Sequence, residues 1–309
     1  MLLFESPAAM PGEYGPSAVT IGKFDGMHAG HRRIISELRA VAAAEGLRSV
    51  AVTFDRNPLS LLRPEFCPAP LLSNAQKIEL LDETGLDATL MLEFNEQRAT
   101  QSAEDFVREV LVDTLHARVL LVGADFRFGA KGVGDVALLE KLGEEHGFRV
   151  QRIDDVTSGQ RRASSTWIRE LLDAGDVAEA TRLLERPPSI RAIVVGGHQR
   201  GRTMGYPTAN LSHDVEGFVP ADGVYATRII IDGQRYGAAT SIGNNPTFEG
   251  VADKTVESHV LDEKLDLYGK TVELEFVEYI RPMNKFPDTD ALVKQMNADE
   301  LRIRSILSR

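Results

Sequence analysis

Residues 20–35, TIGKFDGMHAGHRRII, place two imidazoles, His28 and His31, three positions apart among Gly22, Gly26 and Gly30. These types at this spacing suit phosphate chemistry. Gly22 and Gly26 permit a tight backbone, and Gly30 lets a ligand or a neighbouring backbone come close. His31 falls at or near a helix N-terminus, where unpaired amides and the helix dipole favour an anion. The imidazoles add donors that can follow charge as it shifts during phosphoryl or nucleotidyl transfer. For two arbitrary histidines, a helix cap and a surface residue would be explanation enough. The glycines and the strand-to-helix position favour the anion site.

Three further segments carry candidate chemistry. In RRASSTWIRELLDAGDV, residues 161–177, Ser164, Ser165 and Thr166 offer caps and hydroxyl donors, and Arg169 one turn on can fork onto phosphate oxygens. A plain capped helix explains this segment alone; paired with the histidines, it is the other jaw of a triphosphate clamp. In GRTMGYPTANL, residues 201–211, Thr208 and Asn210 lie two apart on an extended stretch and project to one side. Their neutral oxygens suit Mg²⁺, which takes most of its charge compensation from substrate phosphates. A turn in which both bond their own backbone is the competing reading. In VESHVLD, residues 256–262, alternation sets Glu257 and His259 on one strand face. Glu257 could serve as a general base on an attacking hydroxyl, or could simply be solvated. His259 reads as a bystander.

The elements that must position these groups change character midway. The first half alternates apolar strands (AVTIG, SVAVTF, ATLMLEF, RVLLVG, FRVQRI) with amphipathic helices, which predicts a doubly wound parallel sheet. Gly22, Phe54 and Gly123 fall near carboxyl ends of strands, so their loops should share one crevice. After ERPPSI the pattern becomes short strands and turns, with Asp-Gly in IDGQ suited to a tight hairpin. That half predicts an antiparallel barrel closed by one C-terminal helix, TDALVKQMNADELRIRSIL. The boundary is placed near Arg186, giving domains 1–186 and 187–309.

Length and charge narrow the partners. A chain of 309 residues is about two domains long. Its 46 acidic against 35 basic residues, a net charge of −11, argue against general affinity for nucleic acid or an anionic membrane. Any anion must therefore be bound by local geometry. Cys67 is the single cysteine, so no intramolecular disulfide is expected. No apolar run reaches the roughly 18 residues of a membrane span, and the N-terminus does not read as a signal peptide. A cytoplasmic protein is expected.

GKFDGMHAGH together with SSTWIRE resembles the HxGH nucleotidyltransferases. TFDRNP, VGADFRFG, the PTAN stretch, NNPTF, DLYGK and RPMNKF narrow the resemblance to the bacterial bifunctional riboflavin kinase/FAD synthetases, over nearly all of the chain. It implies an α/β HxGH nucleotidyltransferase domain followed by a β-barrel riboflavin kinase domain. It also implies two activities: phosphorylation of riboflavin by ATP to FMN, and adenylylation of FMN by ATP to FAD and pyrophosphate. In the first half it implies nucleotide contacts at Gly22, Phe24, Asp25, Gly26, His28, Gly30, His31, Ser165, Thr166 and Arg169, with the two histidines catalytic. Phe54 and the loop from Asp125 to Phe128 would line a flavin pocket, aromatic rings suiting a flat isoalloxazine. In the second half Gly201, Arg202, Gly205, Pro207, Thr208 and Asn210 would hold ATP, Thr208 and Asn210 would hold Mg²⁺, Glu257 would be the catalytic base, and Arg281 would meet the flavin. Partners would be small molecules, with room for a weak homo-oligomer.

The chain departs from the family pattern at Arg56-Asn57-Pro58, where Pro-His-Pro is usual. It departs again at Glu185-Arg186-Pro187-Pro188, in place of Gly-Arg-Pro-Tyr, and at Arg191, where a glycine is expected. The alternative reading is therefore a riboflavin kinase with lost or altered adenylyltransferase activity. A flavin-binding regulator with both sites degenerate is the reading from another class.

Overall fold

A computed structural model describes residues 1–308 except 197–205, 245–253 and 264. It divides into two compact units, Met1–Ser164 and Ser165–Arg309.

The first unit is built on six parallel strands: β1 (Leu2–Phe4), β2 (Ser17–Ile21), β3 (Arg48–Phe54), β4 (Ala88–Leu92), β5 (Ala117–Gly123) and β6 (Arg149–Ile153). Their order is β1-β4-β3-β2-β5-β6. Successive side chains of a strand point to opposite faces. Val19 and Ile21 therefore pack with Phe106, Leu111 and Leu139, whereas Ala18 packs with Ile35, Leu38 and Leu81. Both faces are covered, by α1 (Ala29–Glu45) and α2 (Asn74–Asp82) on one side. On the other lie α3, which starts as Ala103–Phe106 and continues as wider π-helical turns through Thr114, and α4 (Val136–His146). This double burial explains why the strands read as continuous apolar runs. From β2 the chain winds outward in both directions, so the crevice of an open α/β sheet lies beyond the carboxyl ends of β2 and β5. A two-stranded hairpin, β7 (Thr157–Ser158) and β8 (Arg161–Arg162), follows β6. Strand β1 escaped the sequence reading because three residues carry too little pattern.

The second unit opens with α5 (Ser165–Asp173) and α6 (Val177–Leu184). A closed antiparallel barrel of β9 (Ser189–Val195), β10 (Ala209–Leu211), β11 (Gly223–Ile231), β12 (Gln234–Asn244), β13 (Lys254–Val260) and β14 (Thr271–Arg281) follows, then α7 (Thr289–Leu307). The Asp232-Gly233 turn forms with φ of 50° and 80°, the two positive values that the hairpin signal predicts. Ile303 and Ile306 of α7 pack on Val224, Ala226, Leu261 and Ile280. Inside the barrel Thr227, Thr240 and Ser258, all fully buried, satisfy one another through hydroxyl contacts of 2.7 and 2.9 Å. Helices α5 and α6 belong by their packing with this unit: Ala221 N–H donates to Leu172 O at 2.9 Å, and Gly175 lies against Tyr279.

The departures at the junction are absorbed locally. Glu185, standing where glycine is usual, ends α6 in the left-handed conformation with φ 58°. Arg191 keeps its place in β9, its guanidinium 3.8 Å from Glu216 and 3.6 Å from Glu273.

Candidate active sites

In the first unit β2 ends at Ile21 and α1 starts at Ala29. His28 occupies the N-cap with extended backbone and no side-chain cap bond, and no acidic residue stands in the first turn. The helix end is thus left open to an anion. The His28 and His31 rings stack with centroids 3.8 Å apart. Gly30 leaves room for them: a Cβ there would lie 3.1 Å from His28 Cε1, tight enough that the ring would have to shift. Phe24, 1% exposed, sets its ring edge on His31 at 5.3 Å. It offers a ligand no side-chain surface and supports His31 from behind. Asp25 accepts the Leu71 amide at 2.8 Å and so fastens the loop.

His31 Nδ1 is buried without a hydrogen-bond partner. Burial, reinforced by His28, Arg162 and Lys23, pushes the His31 pKa well below the ordinary value of 6.5, so the ring is neutral at pH 7. A neutral imidazole keeps one N–H, which it can donate to a phosphate oxygen. Between the depressed folded pKa and about 6.5 the unfolded chain binds the extra proton, so stability falls as pH drops below 6.5. Denaturant midpoints measured from pH 7.5 to 5 should decline, and His31→Gln should decline less. Parallel curves for the two proteins would contradict the buried neutral ring.

Next to this loop, Phe54 and Phe94 meet edge to face at 5.7 Å, and Phe126 and Phe128 stack at 5.6 Å. They line a cavity of about 560 Å³ that also reaches Arg63, Arg127 and Lys131. Phe54 and, from the loop Asp125 to Phe128, Phe126 and Phe128 are rings the resemblance implies for this pocket; Phe94 is a ring that only the structure adds. Asp125 lies beside them but faces Arg162, which donates to it at 2.7 and 3.1 Å and forms an ion pair with Asp155 at 2.9 Å. The Arg162 guanidinium holds the Asp125 carboxyl below the usual carboxylate range. The pair ties the β7–β8 hairpin to the end of β5.

The segment Arg56-Asn57-Pro58 has its own local logic. Arg56 pairs with Asp55 at 2.9 Å, and Asn57 Oδ1 accepts the Leu59 amide at 3.1 Å, starting a one-turn helix. With Lys77 it borders a second cavity of about 300 Å³. Lys77, nearly fully buried, donates to Phe54 O at 2.7 Å, and burial lowers its pKa.

In the second unit Ser165, Thr166 and Arg169 lie in the first turns of α5, whose buried face is Ile168 and Leu172. On the barrel, register pairs Asn210 of β10 with Glu257 of β13. Thr208 donates from Oγ1 to Glu257 Oε2 at 3.3 Å, and Asn210 Nδ2 reaches Thr208 O at 3.4 Å, which leaves its Oδ1 for another partner. A hydroxyl, an amide oxygen and a carboxylate thus converge, all partly exposed. These hard oxygens fit Mg²⁺ in the company of phosphates. His259 shares the Glu257 face and donates from Nδ1 to Pro207 O at 2.8 Å. Arg281 is turned inward: its guanidinium meets buried Asp299 of α7 at 2.8 Å and lies over Phe286 at 5.6 Å. It docks α7 on β14. Gly201, Arg202 and Gly205 lie outside the described residues.

Comparison with known proteins shows the family. The family model described as FAD synthetase matches residues 11–167, and that described as riboflavin kinase matches residues 184–307. Bifunctional riboflavin kinase/FMN adenylyltransferases of Escherichia coli K12 and Pseudomonas fluorescens are 36% and 37% identical. The first alignment covers 93% of this chain and 91% of that protein, the second 95% and 94%. A Streptococcus pneumoniae crystal structure described as a macrolide-efflux protein superposes with a TM-score of 0.87 at 31% identity, covering 98% of each chain. Its description does not transfer, since both family models name flavin enzymes. The chain belongs to the family of bifunctional riboflavin kinase/FMN adenylyltransferases, with one module of each kind.

Proposed function

We propose that this chain makes FMN and then FAD with the residues assembled above, one step in each module. The carrying observation is the convergence of Thr208, Asn210 and Glu257 across the β10–β13 pair in one module, together with the stacked histidine pair in the other. In the kinase step the Glu257 carboxylate takes the proton of the ribityl hydroxyl as its oxygen bonds to the γ-phosphorus. The bond from that phosphorus to the bridging oxygen breaks, and ADP leaves. Thr208 and Asn210 would hold Mg²⁺, which supplies charge neutralisation on the phosphate oxygens. In the second step a phosphate oxygen of FMN attacks the α-phosphorus of ATP and pyrophosphate leaves. His28, His31 and the open amides of α1 bear on the developing charge, while the hydroxyls of Ser165 and Thr166 and the Arg169 guanidinium suit the ATP phosphates. The aromatic cavity at Phe54 and Phe128 takes the isoalloxazine. Catalytic modules are assigned to 1–186 and 187–309, and the reaction to the cytoplasm.

Incubating the protein with riboflavin, ATP and Mg²⁺ and resolving the flavins by chromatography tests this reading. FMN should appear first and FAD at its expense. FMN that accumulates without FAD would favour a kinase with lost or altered adenylyltransferase activity, the one reading to which Arg56-Asn57-Pro58 lends weight. Absence of both products would leave only flavin binding.

A further inference from the structure

Thr208 stands just outside β10. The ladder with β13 consists of Ala209 opposite Ser258 and Asn210 opposite Glu257, and one more step sets His259 opposite Thr208. Pro207 carries no backbone N–H, so the ladder loses a donor at this point. On the other side of the same residue the His259 imidazole serves its carbonyl: Nδ1 donates to Pro207 O at 2.8 Å, and since a carbonyl only accepts, Nδ1 carries the proton. That carbonyl belongs to the peptide joining Pro207 to Thr208, so the bond orients the plane from which the Thr208 side chain projects toward Glu257. A second tether acts on the same segment. The Tyr206 ring meets the His259 ring edge to face at 5.1 Å, and its hydroxyl donates to Asn297 Oδ1 on α7.

From this arrangement we infer that His259 is a positioning residue of the kinase site, holding the Pro207–Thr208 peptide so that Thr208 and Asn210 are presented together to the metal-nucleotide. The inference rests on the assignment of those two residues to Mg·ATP. It places His259 in the machinery without contact to the reacting atoms, and it accounts for a histidine two residues beyond Glu257 on the same face.

The test compares His259→Asn, His259→Gln, His259→Ala and Thr208→Ala in the full chain. Mg·ADP affinity is measured by calorimetry and riboflavin phosphorylation by initial rates. An Asn amide nitrogen can occupy the position of Nδ1, whereas that of Gln lies one bond further out. His259→Ala and His259→Gln should weaken Mg·ADP and raise KM for Mg·ATP about tenfold, the scale of one lost hydrogen bond. Their kcat should change less than about threefold, since the acceptor of the proton is untouched. His259→Asn should restore both constants to near the wild-type values. Adenylylation of supplied FMN should be unaffected throughout. Should His259→Ala fail to fold, the Asn and Gln variants decide. Equal constants for Asn and Gln, or a loss confined to kcat, would overturn the positioning role. Thr208→Ala with unchanged Mg·ADP affinity would instead overturn the underlying assignment, whichever way His259 behaves.

Discussion

Replacing Glu257 by Gln is expected to lower the turnover of riboflavin phosphorylation by about 10² to 10⁴, the usual contribution of a positioned general base. The substitution preserves shape, and the Gln carbonyl can still accept the 3.3 Å hydrogen bond from Thr208, so the β10–β13 geometry should survive. What is lost is the proton acceptor. Binding of riboflavin and Mg·ADP should therefore change little, and extra Mg²⁺ should not restore the rate. Thr208→Ala and Asn210→Ala differ in kind: they remove neutral oxygens from the nucleotide-binding edge, so they should raise KM for Mg·ATP and respond partly to added Mg²⁺. Turnover of Glu257→Gln within a few-fold of wild type would show that the attacking hydroxyl loses its proton elsewhere.

The second large effect concerns the histidine pair. Removing either imidazole by Ala substitution should slow FAD formation from supplied FMN by about 10² to 10³, by analogy with a single oxyanion donor. The double variant should fall short of the product of the two, because the rings stack at 3.8 Å and loss of one frees the other from its place. His31 Nδ1 has no hydrogen-bond partner in the fold, so its loss breaks no internal bond there. Folding should accordingly suffer much less than catalysis. FMN formation from riboflavin should persist, since Glu257, Thr208 and Asn210 lie in the other unit. Equal loss of both activities in a protein that still folds would count against the assignment.

Much of this was determined by the sequence alone, because the signals are local. Strand and helix periods, the Asp232-Gly233 turn and the bounds of α7 need only near neighbours, and the structure reproduces them. The paired imidazoles and the Thr208-x-Asn210 spacing are likewise legible, since their chemistry is written in residue types a few positions apart. What only the tertiary structure decided involves partners distant in sequence. Phe94 joins Phe54 from a different strand end, and Arg162 turns Asp125 into half of an ion pair. Asp299 engages Arg281, a residue that the sequence marks only as a candidate flavin contact, in an ion pair that docks a helix. His259 reads as a bystander on its strand because its partner, the Pro207 carbonyl, comes from a segment some fifty positions earlier in the chain. The neutral state of His31 is decided the same way: composition does not record burial, and burial is what removes the charge.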